Sequence, residues 1–197
     1  MRRVRPALIV AAAVAWTAAA PARAAEVAPS VTLTDLDGRA VNPFLAAENA
    51  PAIVFLFTSV ECPISNRYAP VVQRLHAEYA AKGVAFWLVY PNPSDKPEAI
   101  REHLKAFSYP AHALRDASHA LVKLTGVQVT PETAVFDRKG SLAYHGRIDD
   151  RYVSIGLERP AATVHDLADA LAATLRGAPA KSAAGPAVGC YIADFIS

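Results

Sequence analysis

Residues 57–70, FTSVECPISNRYAP, place a cysteine and a proline directly after an apolar run. That run, AIVFLFTS at 52–59, predicts a strand buried on both faces, because its apolar residues are continuous rather than alternating. Pro63 suits the first position of a helix, and the apolar spacing after it predicts a helix that ends at Gly83. Cys62 is therefore expected at the N-terminus of that helix.

This position predicts a reactive thiol. Unpaired amides and the dipole at a helix N-terminus favour the thiolate, which is the form that attacks disulfides and peroxides. Buried cysteines are often inert core residues, but such a residue would more often lie inside the strand than after it. The carboxylate of Glu61 opposes ionisation of its neighbour Cys62. We therefore expect a partly activated thiol.

The rest of the chain alternates between predicted strands and helices. These segments are a hairpin at 30–44, a strand at 84–91, a helix at 94–107 capped by Ser94 or Asp95, a short strand at 111–116, a short helix at 118–126, a hairpin at 133–146 and a helix at 161–177. The early strands are joined by crossovers and are expected to be parallel, whereas the final pair is antiparallel. This order predicts an α/β fold, with a mixed central sheet, helices on both faces and an N-terminal hairpin extension.

The N-terminus predicts export. Residues 1–24 combine three early arginines, an apolar stretch of about 14 residues and an Ala-Arg-Ala cleavage site, which is typical of a secretory signal peptide. The apolar stretch is shorter than the roughly 20 residues of a membrane-spanning helix. We therefore expect a periplasmic or secreted protein with one domain, 25–177, followed by a flexible linker and a cysteine-containing tail, 178–197.

Composition excludes several functions. Four of the 20 Lys and Arg lie in 1–24, which leaves 16 against 18 Asp and Glu and no basic cluster, so neither a nucleic acid nor a membrane partner is expected. The sequence has no haem-attachment motif and no glycine-rich phosphate loop, and we predict no cofactor. In an oxidising compartment its two cysteines, Cys62 and Cys190, can persist as a disulfide.

Two segments resemble a known family. CPISNRYAP, residues 62–70, is similar to the thioredoxin active site, with Cys62 at the nucleophilic cysteine, Pro70 at the helix-kinking proline and Ser65 in place of the second cysteine. GVQVTPETAVFDRKGSLAYHG, residues 126–146, resembles the segment that carries a cis-proline before a hairpin. The two motifs occur in the order that the thioredoxin fold requires.

The resemblance covers roughly residues 30–176 and is closest to the redoxin branch, which includes alkyl hydroperoxide reductase, thiol-specific antioxidant and related exported thiol-disulfide oxidoreductases. It implies a thioredoxin-like fold in which Thr130–Pro131 is a cis bond packed against Cys62. An ordinary trans-proline at the start of a strand is the alternative.

If the proline contacts the cysteine, the hairpin after it returns with its far end beside the site. This geometry brings HGRIDDRY, residues 145–152, to the rim of the site. There Arg147 or Arg151 would stabilise a thiolate or an anionic transition state. Asp149 or Asp150 would relay protons. A solvated loop that pairs its own charges is the alternative.

The partner of Cys62 is predicted to be Cys190. The 13 residues from Gly177 to Gly189 span about 20 Å as a flexible coil, and the residues after Cys190 are apolar enough to dock. Cys190 is then either a resolving thiol, which attacks an oxidised or mixed-disulfide Cys62, or a structural staple worth about 4–5 kcal/mol in the chain-entropy model. Both alternatives predict an intramolecular disulfide in the exported protein.

Three functions follow from these residues. The first is an exported thiol-disulfide oxidoreductase with Cys62 as nucleophile and Cys190 as resolving thiol, acting on a protein or small-molecule substrate with an external thiol as reductant. The second is a thiol peroxidase, for which Ser59 and Arg147 match the hydroxyl and the arginine of peroxiredoxins, although Phe55 stands where their proline should be.

The third alternative is a copper(I) chaperone of the Sco type, which is also thioredoxin-folded and uses Cys-x-x-x-Cys with a histidine. Asn66 replaces the second cysteine of that motif, and Thr130–Pro131 occupies the loop in which the histidine is expected. Copper would then need Cys62, Cys190 and His145, because soft thiolates select copper(I).

Overall fold

The computed structural model describes residues 29–192. Residues 1–28, which include the predicted signal peptide, and 193–197 lie outside the described residues. The strands are β1 Leu33–Asp35, β2 Ala40–Val41, β3 Ala52–Phe57, β4 Ala85–Tyr90, β5 His112–Arg115, β6 Val129–Thr130, β7 Glu132–Asp137, β8 Leu142–Gly146, β9 Tyr152–Ser154, β10 Leu157–Glu158 and β11 Cys190–Tyr191. The helices are α1 Pro43–Ala46, α2 Pro63–Ala80, α3 Pro97–Ala106, α4 Ala120–Thr125 and α5 Asp166–Leu175. Among these helices, none has the length and apolar character needed to cross a bilayer.

Seven strands form one mixed sheet in the order β2-β1-β5-β4-β3-β7-β8. Strands β3, β4 and β5 run parallel, while β7 and β8 follow as an antiparallel pair beside β3. The N-terminal hairpin β1–β2 extends the opposite edge, where Thr34 lies across from Arg115. The predicted mixed sheet with a hairpin extension is confirmed.

Strand β3 separates two hydrophobic cores. Its side chains alternate between the two faces of the sheet, and all six residues are buried. One core receives helices α2, α3 and α5 through Val72, Ile100 and Leu171. The other receives α1 and α4 through Phe44 and Leu121. Helices therefore cover both faces, which explains why β3 is a continuous apolar run.

Helix α3 begins later than the sequence predicts. It starts at Pro97 with Lys96 at the N-cap, and no side chain makes a capping bond there, so the cap predicted at Ser94 or Asp95 is wrong. The buried carboxylate of Asp95 instead accepts a hydrogen bond from the backbone N–H of Val60 at 3.4 Å. A side chain that looked like a helix cap thus supports the loop before the cysteine.

Helix α5 begins at Asp166, whereas the sequence pattern predicted a start at Ala161. Asp150 accepts hydrogen bonds from the backbone N–H groups of Thr163 and Val164, at 2.6 and 2.9 Å, and from the Thr163 hydroxyl at 2.6 Å. These bonds satisfy the backbone N–H groups of residues 163 and 164, which lie before the helix. Asp150 is therefore a structural residue at the entry to α5, and not the proton relay considered from the sequence.

Candidate active site around Cys62

Cys62 lies at the junction between β3 and α2, as predicted. It is the N-cap residue of α2, with Pro63 as the first helical residue, and only 1% of it is exposed. Its thiol donates a hydrogen bond to the backbone carbonyl of Thr130, with Sγ and O 2.9 Å apart. The helix N-terminus and the carbonyl together fix the position of the sulfur.

Thr130–Pro131 is a cis peptide bond, so the cis bond predicted from the resemblance is confirmed. Strand β7 starts directly after Pro131, and its first residue, Glu132, lies opposite Phe57 at the end of β3. Because β3 leads into the loop that ends at Cys62, this register places Pro131 at the end of the sheet that carries the cysteine.

The tail reaches the same place. Strand β11 pairs antiparallel with β6, and Cys190 lies directly opposite Thr130. The backbone N–H of Ile192 donates to the carbonyl of Gln128 at 2.9 Å, which continues the pairing. Gly189 permits this close approach, because a Cβ there would lie 2.6 Å from the carbonyl carbon of Thr130.

Cys62 and Cys190 are both free thiols in this structure. Both cysteines line the same cavity, and each shifts the pKa of the other, that of Cys62 downward and that of Cys190 upward. The structure therefore holds the two groups as adjacent thiols rather than as the predicted disulfide. The segment predicted as a flexible linker also makes contacts, since Ala180, Ala183 and Val188 pack against the core that contains α2 and α5.

The two thiols have opposite pKa shifts. Burial raises the pKa of Cys62, but hydrogen bonds from the Cys190 thiol and from the hydroxyl and backbone N–H of Ser65 outweigh burial and hold that pKa below the usual range. Cys190 is exposed overall, yet partial burial of its sulfur and the adjacent Cys62 raise its pKa to about 12. Cys62 is therefore the thiol that ionises first.

Ser65 takes the position of the second cysteine in the thioredoxin motif. Its Oγ is buried and has no hydrogen-bond partner among residues 29–192 in this structure, in which Cys62 is a thiol. The hydroxyl is thus available to turn toward the sulfur when Cys62 loses its proton, which accounts for its effect on the pKa of Cys62.

A buried polar chain supports the loop before Cys62. Asn66 Nδ2 donates to the carbonyl of Val60 at 3.2 Å, so Asn66 Oδ1 accepts from His103 Nε2 at 2.7 Å. His103 Nδ1 then accepts from the hydroxyl of Tyr90 at 2.9 Å. Burial lowers the pKa of His103, which keeps the ring neutral as this arrangement requires. The sequence did not predict this chain of bonds, because its members are distant in sequence.

A cavity of about 270 Å³ opens beside Cys62. Its lining includes Ser59 and Thr130 from the domain and Cys190 and Tyr191 from the tail. The carboxylate of Asp95 is buried, and burial raises its pKa. The hydrogen bonds that it accepts from Ser59 and Val60 lower that pKa by less than burial raises it. A small substrate in this cavity would meet both thiols.

Arg147 lies at the predicted end of the sheet but not at the thiol. It follows β8, whose Gly146 lies opposite Thr133 near the start of β7. Its Nε is 2.7 Å from Asp166 Oδ2, and it is not among the residues that line the cavity in the part of the chain described. The structure brings Cys62, Pro131 and Cys190 together and directs Arg147 to helix α5.

The other charged residues of 145–152 are also paired. Arg151 Nη2 is 3.3 Å from Glu158 Oε2 on strand β10. Asp149 accepts a hydrogen bond from the Tyr68 hydroxyl at 2.6 Å. These charges are therefore paired with residues outside 145–152, and Asp149 and Asp150 are buried, so the segment is neither directed at the thiol nor a solvated loop that pairs its own charges.

Fold and site together define a class: a thioredoxin-like protein in which a cysteine at a helix N-terminus faces a cis-proline. A family model described as Redoxin matches residues 23–155, which is more than half of the chain. The chain belongs to the Redoxin family, and the family and fold expected from the motifs are confirmed. No curated protein matches the chain.

Several solved structures share this fold. A hypothetical protein of Sinorhizobium meliloti is 28% identical over 84% of this chain and 91% of that chain, with a TM-score of 0.72. An uncharacterized conserved protein of Geobacillus kaustophilus is 28% identical over 86% of this chain and 91% of that chain, also with a TM-score of 0.72. A secreted disulfide oxidoreductase of Mycobacterium tuberculosis is 19% identical over 73% of this chain and 96% of that chain, with a TM-score of 0.53. At that identity the last comparison concerns the fold alone.

Proposed function

We propose that the protein is an exported thiol-disulfide oxidoreductase in which Cys62 is the nucleophile and Cys190 is the resolving thiol. The observation that carries this proposal is the position of Cys190 directly opposite Thr130, whose carbonyl accepts a hydrogen bond from the Cys62 thiol. Ser65 has no sulfur with which to release a mixed disulfide, which leaves Cys190 or an external thiol for that step. The free, exposed state of Cys190 supports a resolving thiol over a structural staple.

The first step is attack on a disulfide. The Cys62 thiolate forms a bond to one sulfur of the substrate, and the electron pair of the substrate S–S bond leaves with the other sulfur, which takes up a proton. The products are a mixed disulfide at Cys62 and one substrate thiol. Before it ionises, the Cys62 thiol is held beside the cis-proline by the hydrogen bond that it donates to the Thr130 carbonyl.

The second step releases the substrate. Cys190 loses its proton and attacks the Cys62 sulfur, which frees the second substrate thiol and leaves a Cys62–Cys190 disulfide. Two of the three causes that raise the pKa of Cys190 are the hydrogen bond to Cys62 and the charge on Cys62. Both disappear when Cys62 is in a mixed disulfide, so the pKa of Cys190 falls only after the first step. An external dithiol then reduces the disulfide and is itself oxidised.

The substrate is proposed to be a protein or small-molecule disulfide, and the compartment is proposed to be the periplasm or the exterior. The signal-like composition of 1–24 supports export.

The alternatives have less support. A thiol peroxidase would use an arginine at the thiolate, but Arg147 and Arg151 are paired with Asp166 and Glu158. A copper(I) chaperone would need a cluster of metal ligands. Within residues 29–192, no group of three or more His, Cys, Asp or Glu side chains is arranged to hold a metal ion. His145 Nδ1 instead lies 3.7 Å from Glu132.

The test uses the chain without residues 1–24, first reduced and then freed of external thiol, and a stoichiometric amount of a peptide that contains one disulfide. We expect the unsubstituted protein to reduce the peptide and Cys62→Ser to be inactive. Cys190→Ser should accumulate a Cys62–peptide mixed disulfide that mass spectrometry detects. Full turnover by either variant would overturn the proposal. Consumption of hydrogen peroxide without reduction of the peptide would replace it with the peroxidase alternative.

A further inference from the structure

The ion pair between Arg147 and Asp166 also contacts the tail. Arg147 Nε and Asp166 Oδ2 are 2.7 Å apart, and the two side chains are only 15% and 5% exposed. The other carboxylate oxygen, Asp166 Oδ1, accepts a hydrogen bond from the backbone N–H of Ala184 at 3.1 Å. One carboxylate therefore joins the end of β8, the start of α5 and the tail.

Small residues allow the tail to lie close to this pair. A Cβ at Gly185 would be 3.1 Å from Arg147 Nη1, so the guanidinium lies against the tail backbone. On the domain side, a Cβ at Gly146 would be 2.9 Å from the Cβ of Ala183. The contacts at 183–185 are consecutive, and those at Ala184 and Gly185 involve a charged side chain.

We infer that Arg147 and Asp166 form a latch that holds the tail at Ala184 and so positions Cys190 for its attack on Cys62. This inference rests on the proposed resolving role of Cys190. Arg147 acts through the tail and is a positioning residue, which differs from the thiolate-stabilising role predicted from the sequence.

The latch shortens the free segment before the resolving thiol. Five residues, 185–189, separate Ala184 from Cys190, and the core contacts of the tail before β11, at Ala180, Ala183 and Val188, are apolar. A shorter segment with a fixed start raises the effective concentration of the thiol at its target. The pair is buried, so removal of Arg147 leaves an uncompensated carboxylate that no longer holds the tail in one place.

The experiment separates attack by Cys62 from attack by Cys190. The reduced protein is mixed with a chromogenic aromatic disulfide, dithiobis-nitrobenzoate, in a stopped-flow instrument. Attack by Cys62 releases the first coloured thiolate at a rate that depends on reagent concentration. Attack by Cys190 on the mixed disulfide releases the second at a rate that does not depend on it.

Two variants test the latch in different ways. Arg147→Met removes the ion pair, and Ala184→Pro removes the N–H that bonds to Asp166 while the ion pair remains. We expect each to slow the second release by on the order of tenfold or more and to leave the first release unchanged. The matched control is Arg101→Met, which removes an exposed ion pair with Asp37 on the N-terminal hairpin and should change neither release.

The outcomes distinguish the latch from the proposed function. If the unsubstituted protein shows no second release, or releases it at the rate of Cys190→Ser, the resolving role of Cys190 fails. If the second release depends on Cys190 but stays within about twofold in both Arg147→Met and Ala184→Pro, the latch is overturned. Urea denaturation of each variant confirms that the rates belong to folded protein.

Discussion

Replacement of Gly189 by alanine should separate docking of the tail from the chemistry of Cys62. The new Cβ would overlap the carbonyl oxygen of Thr130 and lie 2.6 Å from its carbonyl carbon and 3.1 Å from the nitrogen of Pro131. These are backbone atoms that cannot rotate away, so the tail must shift. Overpacking of this kind costs about 1–3 kcal/mol, which corresponds to a roughly 5- to 150-fold loss in the population of the docked tail.

The assay is the equilibrium between the Cys62–Cys190 disulfide and a buffer of reduced and oxidised dithiol. Free thiols are alkylated at each buffer ratio, and the oxidised fraction is measured by mass spectrometry. We expect the equilibrium constant for disulfide formation in Gly189→Ala to fall by the same factor, because the substitution removes the preorganised position of Cys190.

Ser182→Ala is the control, because Ser182 is an exposed residue of the same tail. This change adds no atom against the domain, so it should leave the equilibrium constant unchanged. If Gly189→Ala stays within about twofold of Ser182→Ala, pairing of β11 with β6 does not hold Cys190, and the physical basis of the resolving role is lost.

Two further predictions concern Cys62 and its supporting polar chain. Cys190→Ala removes a group that lowers the pKa of Cys62. The midpoint pH of the alkylation rate of Cys62 with iodoacetamide should therefore be higher than in the unsubstituted protein. An unshifted pH profile contradicts this. Asn66→Leu leaves the buried N–H of His103 without its acceptor, and the free energy of unfolding in urea should fall by about 1–3 kcal/mol, whereas the exposed Asn49→Leu should change it little. Equal losses in the two asparagine variants would count against the polar chain.

The features that were predicted correctly depend on near neighbours in the sequence. The strand, the cysteine and the proline of 57–63 are contiguous, and a helix that starts at a proline needs no distant contact to be recognised. The hairpin β7–β8 is similarly local, with its turn at Gly140, which has a φ of 78°. Such elements are specified by periodicity and by the conformational limits of glycine and proline.

The features that were predicted incorrectly depend on side chains from distant elements. Asp95 resembles a helix cap in sequence, but it supports Val60 across 35 positions. Asp150 resembles a candidate proton relay, but it satisfies the backbone of Thr163 and Val164. A carboxylate accepts from whichever donors the fold brings within reach, so residue type alone does not determine its partner.

The candidate site divides in the same way. Cys62 as the thiol at a helix start, Thr130–Pro131 as a cis bond and a tail that reaches Cys62 were all predicted from the sequence. The partner of Arg147, which is Asp166, was not predicted from the sequence. Its position after β8 follows from the hairpin, but its direction toward helix α5 depends on how that helix packs against the sheet.

The sequence alone therefore determined the order of the strands and helices along the chain and the position of Cys62 at a helix start, since each depends on residues close together in the chain. Tertiary structure alone decided that Cys190 lies opposite Thr130, that Cys62 ionises before it and that Arg147 contacts the tail through Asp166. The physical reason is that hydrogen bonds and charges act over a few ångströms in space, whereas periodicity and turn chemistry act over a few residues along the chain.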